Sequence, residues 1–449
     1  MKKNRILNVL MFINLVLIIC QLQAQNERSL FFLPDIPQRK LVNPAAFPDH
    51  RLYVGVPILS SLKMGFENTL CYNDFFIRKG DSIYFEQDYF VNNLKLNNNI
   101  NFDLSLEFLS AGIKIKDNYF NFRIADKMNV NTAITKETFQ FFLYGNGHSA
   151  FLGKDIDLGG NGLNFSYVRE YLLGFSKMIN PQLSMGMNVK YLNGIANITS
   201  NNFSFLLFTD PVDYTIKMKS NVMVNTSLPN KSDFFDIFFN SENRGFAFDV
   251  GAEYKYNEKL SATLSAVNVG FVRWKSNLKN YETLDTTEEF VHEGFPLEDY
   301  FDSKTLASSA LSKALDSIFY EIGIPTNKKE YRTSLPSWVN VNVNYQPKPS
   351  HHVGLLYQSR FIKNQNWNTF TLAYTYSLKD KLHLMFSNTF SKSTLFSPSA
   401  AIGANLGAFQ IYLISENFVA PFTFGNAKFY SLQLAINLVF KDEKILDQP

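Results

Sequence analysis

The sequence is poor in the residues that most often signal chemistry or covalent bracing. It has two cysteines, Cys20 and Cys71. If Cys20 leaves with an export signal, one thiol remains and no internal disulfide can form. An exported chain of this kind rests on its sheet and not on covalent staples. Past residue 20 there is no apolar run of the roughly twenty residues a membrane-crossing helix needs. The net charge is only +3, and no basic run stands out, so nucleic acid is not an expected partner.

Signatures of catalysis are missing as well. No G-x-S-x-G, H-E-x-x-H, Walker loop or C-x-x-C occurs. Six histidines are scattered along the chain. His351 and His352 are adjacent, but neighbours on a strand point to opposite faces and cannot grip one metal. Gly153, Gly159 and Gly160 lack the flanking strand and helix of a phosphate cradle, and read as a loop. Glu298, Asp299 and Asp302 read as a solvated loop. Neither enzymatic activity nor a cofactor or metal is expected.

Aromatic residues are plentiful: 44 Phe and 22 Tyr stand against 3 Trp, 15% of the chain in all. The mean hydropathy is nonetheless slightly negative, at -0.11. A β-barrel hides its membrane face in alternation, which reconciles the two numbers. Residues 430–440 show the pattern best. Tyr430, Leu432, Leu434, Ile436, Leu438 and Phe440 share one face, opposite Ser431, Gln433, Ala435, Asn437 and Val439. About ten residues suffice for a tilted strand to cross a bilayer. This stretch is therefore expected to be the closing strand of the barrel, with its apolar face to lipid. An arginine at Leu434 is expected to cost roughly 2–4 kcal/mol at mid-membrane, and one at Gln433 far less.

Similar alternation recurs from about Leu62 onward, as in Phe102, Leu104, Leu106 and Phe108, or in Phe246, Phe248, Val250 and Ala252. Short turns are expected at 116–118, 180–182, 257–259, 346–350 and 379–381. Longer connections fall between them, as in outer-membrane barrels with short periplasmic turns. The fold class is therefore all-β, a transmembrane antiparallel barrel of about fourteen strands, with sixteen as the alternative, occupying residues 61–440. Two long connections are expected to hold helices. One covers 136–143. The other lies within an extracellular insert at about 275–335, where Leu306, Leu311, Leu315, Ile318, Phe319 and Ile322 fall near one helical face. That face packs on the barrel rim or folds into the lumen, or it serves as a gate or a partner-docking helix.

Residues 1–24 read as a secretory signal, with Lys2, Lys3 and Arg5 ahead of an apolar run and cleavage after Ala24. A lipoprotein signal at Cys20 is disfavoured by the bulky Ile19 before it. Residues 25–60 carry five prolines, which a central strand does not tolerate. Asn43-Pro44-Ala45 lies among them and reads first as a turn. Residues 441–449 read as a periplasmic tail.

Asn43-Pro44-Ala45, Tyr53-Val54-Gly55, Tyr72-Asn73-Asp74, Arg169-Glu170-Tyr171, residues 190–194 (K-Y-L-N-G) and residues 270–274 (G-F-V-R-W) together resemble an uncharacterised Bacteroidetes-type family of outer-membrane barrels. The Asn-Pro-Ala is also similar to that of fatty-acid-transporter-like barrels and of barrel components in a secretion apparatus. The resemblance implies an outer-membrane location of the Gram-negative type. It also implies that residues 25–60 form a plug, with Asn43, Pro44 and Ala45 as its motif. Two functions remain open: passage of hydrophobic or small solutes, or a structural or docking role in an outer-membrane assembly without transport. The expected partners are outer-membrane lipid, a hydrophobic solute, the barrel-insertion machinery through the C-terminal strand, and a protein at the long loop.

Overall fold

Alternating strands separated by turn-forming residues bring the chain into one antiparallel sheet that closes on itself. The computed structural model describes residues 27–229, 242–284, 286, 289–292, 324–362, 365–379, 381–391 and 396–441. The expected export signal, residues 442–449 of the expected tail and the helix expected at 306–322 lie outside the described residues.

The wall has fourteen strand positions. Strand β1 comes in two pieces, His50–Gly55 and Leu62–Asn68. Then follow β2 (Asn97–Ile115), β3 (Asn118–Thr135), β4 (Gly162–Met178) and β5 (Leu183–Thr209). β6 is also split, into Ile216–Ser227 and Arg244–Lys255, and β7 is Leu260–Trp274. β8 runs as Tyr331–Ser334 and Ser337–Lys348, followed by β9 (His351–Ile362), β10 (Gln365–Leu378) and β11 (Leu382–Ser391). β12 (Pro398–Leu406), β13 (Phe409–Ser415) and β14 (Phe429–Lys441) complete it. Both pieces of β1 pair with β14 on one side and β2 on the other, which closes the barrel.

The wall thus begins at His50, inside the stretch that the sequence assigns to the N-terminal segment. Between the pieces of β1, Pro57 has no amide proton to give and Ile58 sits at φ 69. The ladder to β14 still runs past them, through Val56 N to Ile436 O at 3.1 Å and Ile436 N to Leu59 O at 2.8 Å.

One rim holds the short turns, including that between Ile115 and Asn118, where Lys116 takes φ 53. A two-residue turn there needs the left-handed region. Gly407, at φ 67, makes the equivalent turn between β12 and β13. The start of β1 and the end of β14 lie at the same rim, with His50 opposite Lys441. The opposite rim carries the long connections: α1 (Tyr72–Phe75), α2 (Gln87–Asn93) and α3 (Lys136–Tyr144). The Thr135 hydroxyl caps α3 by accepting from Thr138 N at 3.4 Å. Beyond that rim β5 and the first piece of β6 stand as a long hairpin, flanked by Asp155–Asp157 and Glu289–His292.

The outer face is greasy. Phe246, Phe248, Val250, Leu264, Leu372 and Leu432 are each about half exposed. A soluble protein does not leave so large an apolar belt to water. A closed antiparallel barrel that wears one is an outer-membrane protein. Among the described residues no helix is long and apolar enough to cross a membrane.

Candidate functional site: the lumen and the N-terminal segment

Inward positions divide the lumen into two unlike halves. On β2 to β6 they are charged and buried. Arg123 joins Glu107 at 2.5 Å and Glu170 at 2.8 Å. Glu170 also takes Lys127 at 2.9 Å and Lys190 at 3.9 Å. Lys190 continues to Asp249 at 2.7 Å. These side chains come from five consecutive strands, and acid meets base on the diagonal: Glu107 and Glu170 are both opposite Ala125, two residues from Arg123 and from Lys127. On the opposite, outward face of the same strands Arg169 pairs with Asp126 at 2.6 Å. Among the described residues, the inward faces of β10 to β14 hold no Asp, Glu or Arg, and Lys441 alone of the lysines, at the rim; just past β13 the buried Glu416 accepts from Ser29 N at 3.1 Å. They present Ala373, Met385, Ala401, Tyr412, Ile414, Ala435 and neutral polar groups such as Thr375, Gln410 and Asn437.

Residues 27–49 lie between these halves and match each. Leu30, Phe31, Phe32, Leu33 and Ile36 pack with Leu356, Ala373, Met385, Tyr412 and Ile414. Thr375 donates to Phe32 O at 2.9 Å and Gln410 to Asp35 O at 3.2 Å. Gln38 donates to Asn437 at 3.0 Å. Past Pro37, whose ring fits the first turn of a short 3-10 helix, the segment becomes polar and faces the charged half. Arg39 meets Glu253 at 3.2 Å. Lys40 Nζ donates to Pro44 O at 2.9 Å, to Ala46 O at 3.2 Å and to Ser176 Oγ. Burial pulls its ammonium down to about 7, against the opposing pull of Glu253. Asp35 is pushed up to about 6, first by burial and then by neighbouring Asp49.

Asn43, Pro44 and Ala45 come together against β4 to β6. The Asn43 side chain accepts from Ala45 N at 3.1 Å, an Asx turn, and donates to Glu253 at 2.7 Å. Ser176 donates to Pro44 O at 3.1 Å and Ser184 to Ala45 O at 2.9 Å. Gly186 and Gly251 are opposite each other in the β5–β6 ladder. A Cβ on Gly186 would overlap the Pro44 carbonyl, and one on Gly251 would lie 3.1 Å from the Pro44 ring. The paired glycines make the seat for this turn. Across the lumen a Cβ on Gly354 would overlap the Phe32 ring. Sequence reading passes over these glycines, because a glycine within a strand signals a bulge as readily as a seat.

On β14, Tyr430, Leu434, Ile436 and Leu438 are partly exposed and Leu432 and Phe440 exposed, while Ser431, Gln433, Ala435 and Asn437 are buried. Gln433 is no tolerant surface position. It is 3% exposed and donates to Ser61 at 3.2 Å and to the Tyr412 hydroxyl at 3.4 Å. An arginine there would have to displace both contacts, so the mild effect expected of Gln433→Arg does not follow from its inward facing.

Above the charged half, within the long hairpin, the interior turns apolar. Phe151, Ile156, Leu158, Ile198, Phe205, Leu207, Met218 and Val222 form a buried cluster, with Phe141, Phe165 and Phe203 partly buried against it. The histidines are dispersed: His50 contacts the Tyr119 hydroxyl at 3.2 Å, His351 that of Tyr374 at 2.7 Å, and His383 that of Ser377 at 2.8 Å.

Residues 44–416 match a family described as a family of unknown function (DUF5723). No curated protein matches the sequence. Among solved structures the chain is similar to the crystal structure of a Pseudomonas aeruginosa FadL homologue, at 11% identity and TM-score 0.48, covering 94% of this chain and 99% of that one. It is also similar to the Pseudomonas putida toluene transporter TodX, at 9% identity and TM-score 0.41, covering 94% and 98%. The Ralstonia pickettii toluene transporter TbuX follows at 9% identity and TM-score 0.35, covering 90% and 94%.

Proposed function

Since the chain belongs to that family of unknown function, its role has to come from its own geometry, and we propose that it is a plugged barrel that passes hydrophobic or small solutes across the outer membrane without altering them chemically. The observation that carries this reading is the apolar interior of the extracellular hairpin, from Phe151 to Met218. A water-filled pore lines its interior with polar groups. A cluster of phenylalanine, leucine and isoleucine side chains suits an apolar solute instead. Residues 27–49 act as the plug, fastened at Asn43-Pro44-Ala45. Their hydrogen bonds reach β4, β5, β6, β7, β10, β13 and β14, so the segment is held by both halves of the wall.

Single-channel recording in a planar bilayer tests the reading, together with titration of the apolar fluorophore N-phenyl-1-naphthylamine. The intact chain is expected to be nearly silent, and a variant lacking residues 27–49 to conduct steadily. The fluorophore is expected to bind saturably, and Leu207→Asp to abolish that binding. A steady large conductance from the intact chain would remove the plug, and non-saturable binding would remove the apolar solute.

A further inference from the structure

A row of arginines crosses the outer surface just above the apolar belt. In the β6–β7 ladder Arg244 is opposite Arg273, and in the β7–β8 ladder Arg273 is opposite Arg332. Arg244 continues the outward parity of Phe246, Phe248 and Val250, and Arg273 that of Phe271. Like charges placed directly across a ladder repel each other and destabilise it. Among the described residues, Arg273 has a carboxylate partner in Glu330, at 2.7 Å, and Lys275 reaches the same group at 4.0 Å. Among the described residues no ion pair is seen for Arg244 or Arg332. The Arg332 guanidinium instead lies 4.1 Å over the Phe271 ring.

These residues line one outward cavity of about 560 Å³, bounded by Glu242, Arg244, Phe246, Phe271, Arg273, Lys275 and Arg332. Four cations against the carboxylates of Glu242 and Glu330 leave it net positive. Its lower wall is the two phenylalanines, which open directly onto the belt.

Height fixes what this cavity meets. The outward residues of β6 run from Phe246 to Tyr256 at the short-turn rim. Ten residues at about 3.4 Å each, tilted by about 40°, rise about 25 Å, which is the height of the apolar band of such barrels. Arg244 is the next outward position on the side of the long connections. The row therefore sits at the boundary between acyl chains and headgroups of the outer leaflet.

The geometry points to a binding site for a phosphate-bearing glycolipid of the outer leaflet. Its phosphates lie among Arg244, Arg273 and Arg332, and its acyl chains descend over Phe246 and Phe271. Arginine suits this ligand because its planar fork meets two phosphate oxygens at once. Basic pockets at membrane boundaries take lipid headgroups in the same way. The inference is independent of whether solutes pass through the lumen.

The test is binding of diphosphoryl lipid A to the full chain in detergent. Dephosphorylated lipid A and inorganic phosphate serve as the alternative ligands. The variant Arg244→Gln/Arg273→Gln/Arg332→Gln is expected to weaken binding at least tenfold. A control, Lys177→Gln/Lys255→Gln/Lys259→Gln, removes as much charge at the short-turn rim and is expected to leave binding unchanged. Heat-dependent gel mobility reports folding. If the triple variant does not fold, Arg332→Gln alone, which removes an exposed side chain, is expected to weaken binding severalfold. Undiminished binding in either arginine variant overturns the proposal. So does equal affinity for the dephosphorylated lipid, or displacement by inorganic phosphate at concentrations matching the lipid.

Discussion

The two halves of the lumen meet the same N-terminal segment by opposite means. The β10–β14 half offers small and apolar side chains, and the segment answers with Leu30, Phe31, Phe32 and Leu33. The β2–β6 half offers a chain of buried ion pairs centred on Glu170 and, beside it, Glu253 and Ser176, which the segment meets with Arg39, Asn43 and Lys40. Apolar contact is non-directional, and its strength follows the area removed from water. A buried ion network contributes little net stability, because desolvation offsets its attraction, yet it is costly to break at a single member. One half supplies adhesion and the other fixes position.

Single deletions on each side bear on that contrast most strongly. Glu170→Ala leaves Lys127 without its carboxylate and strips one partner from Arg123. The expected loss is about 3–5 kcal/mol, read from urea unfolding of the refolded barrel. Adding Lys127→Met should restore part of it, since the orphaned cation is then gone. On the apolar side Leu30→Ala, fully buried in the wild type, should cost about 2–5 kcal/mol by lost transfer energy and a cavity. No charge removal should rescue it. Rescue of both variants by Lys127→Met, or of neither, would mean that the halves are not held differently.

A smaller effect separates the halves by space alone. Gly186→Ala drives a methyl group into the Pro44 carbonyl on the charged side. Overpacking of this kind costs about 1–3 kcal/mol, and here it should act by lifting the Asn43-Pro44-Ala45 turn off its seat. Cleavage within residues 27–49 by added protease, and a rise in bilayer conductance, are the expected readouts. Gly403→Ala on the other side meets His383 no closer than 3.7 Å, which is ordinary contact, and should change neither. Equal protease resistance in the two variants would mean that the turn is not what fastens the segment.

Periodicity made the wall legible. Alternation at Phe246, Phe248 and Val250, or along β14, marks outward positions without any structure, and Lys-Asp-Asn at 116–118 marks a turn. β12 was harder to see, since Ala400, Ala401 and Ala404 give little contrast between faces. The lumen network was hidden for a different reason. Period two says that Glu107, Arg123, Glu170, Lys190 and Asp249 point inward, but not that they share a height. That depends on register across five strands, including the irregularities at Glu107/Leu109 and Tyr167/Val168. The arginine row is the same lesson on the outer face, because residues 244, 273 and 332 become neighbours only through pairing.

The least effect expected, and the one that probes where the two parts of the segment join, is a dependence on pH. Asp35 lies between the apolar stretch and the polar one, at φ 55. Burial raises its carboxyl from the ordinary 3.8 to about 6, with Asp49 adding repulsion, while Lys441 and Arg39 pull the other way. Between those values the folded barrel holds the proton more tightly than the unfolded chain does. The stability this proton contributes is therefore fully present below about pH 4 and is lost as pH rises through about 6. Asp35→Asn keeps a neutral side chain at every pH. Its advantage over the wild type should be absent at pH 4 and grow toward pH 7, with the urea midpoint as the measure. Lys40, pulled down to about 7, is present in both proteins, so its titration near the upper end of this range cancels in the difference. A difference between variant and wild type that stays constant from pH 4 to 7 would mean that Asp35 is ionised throughout, and that the join between adhesion and position is a solvated one.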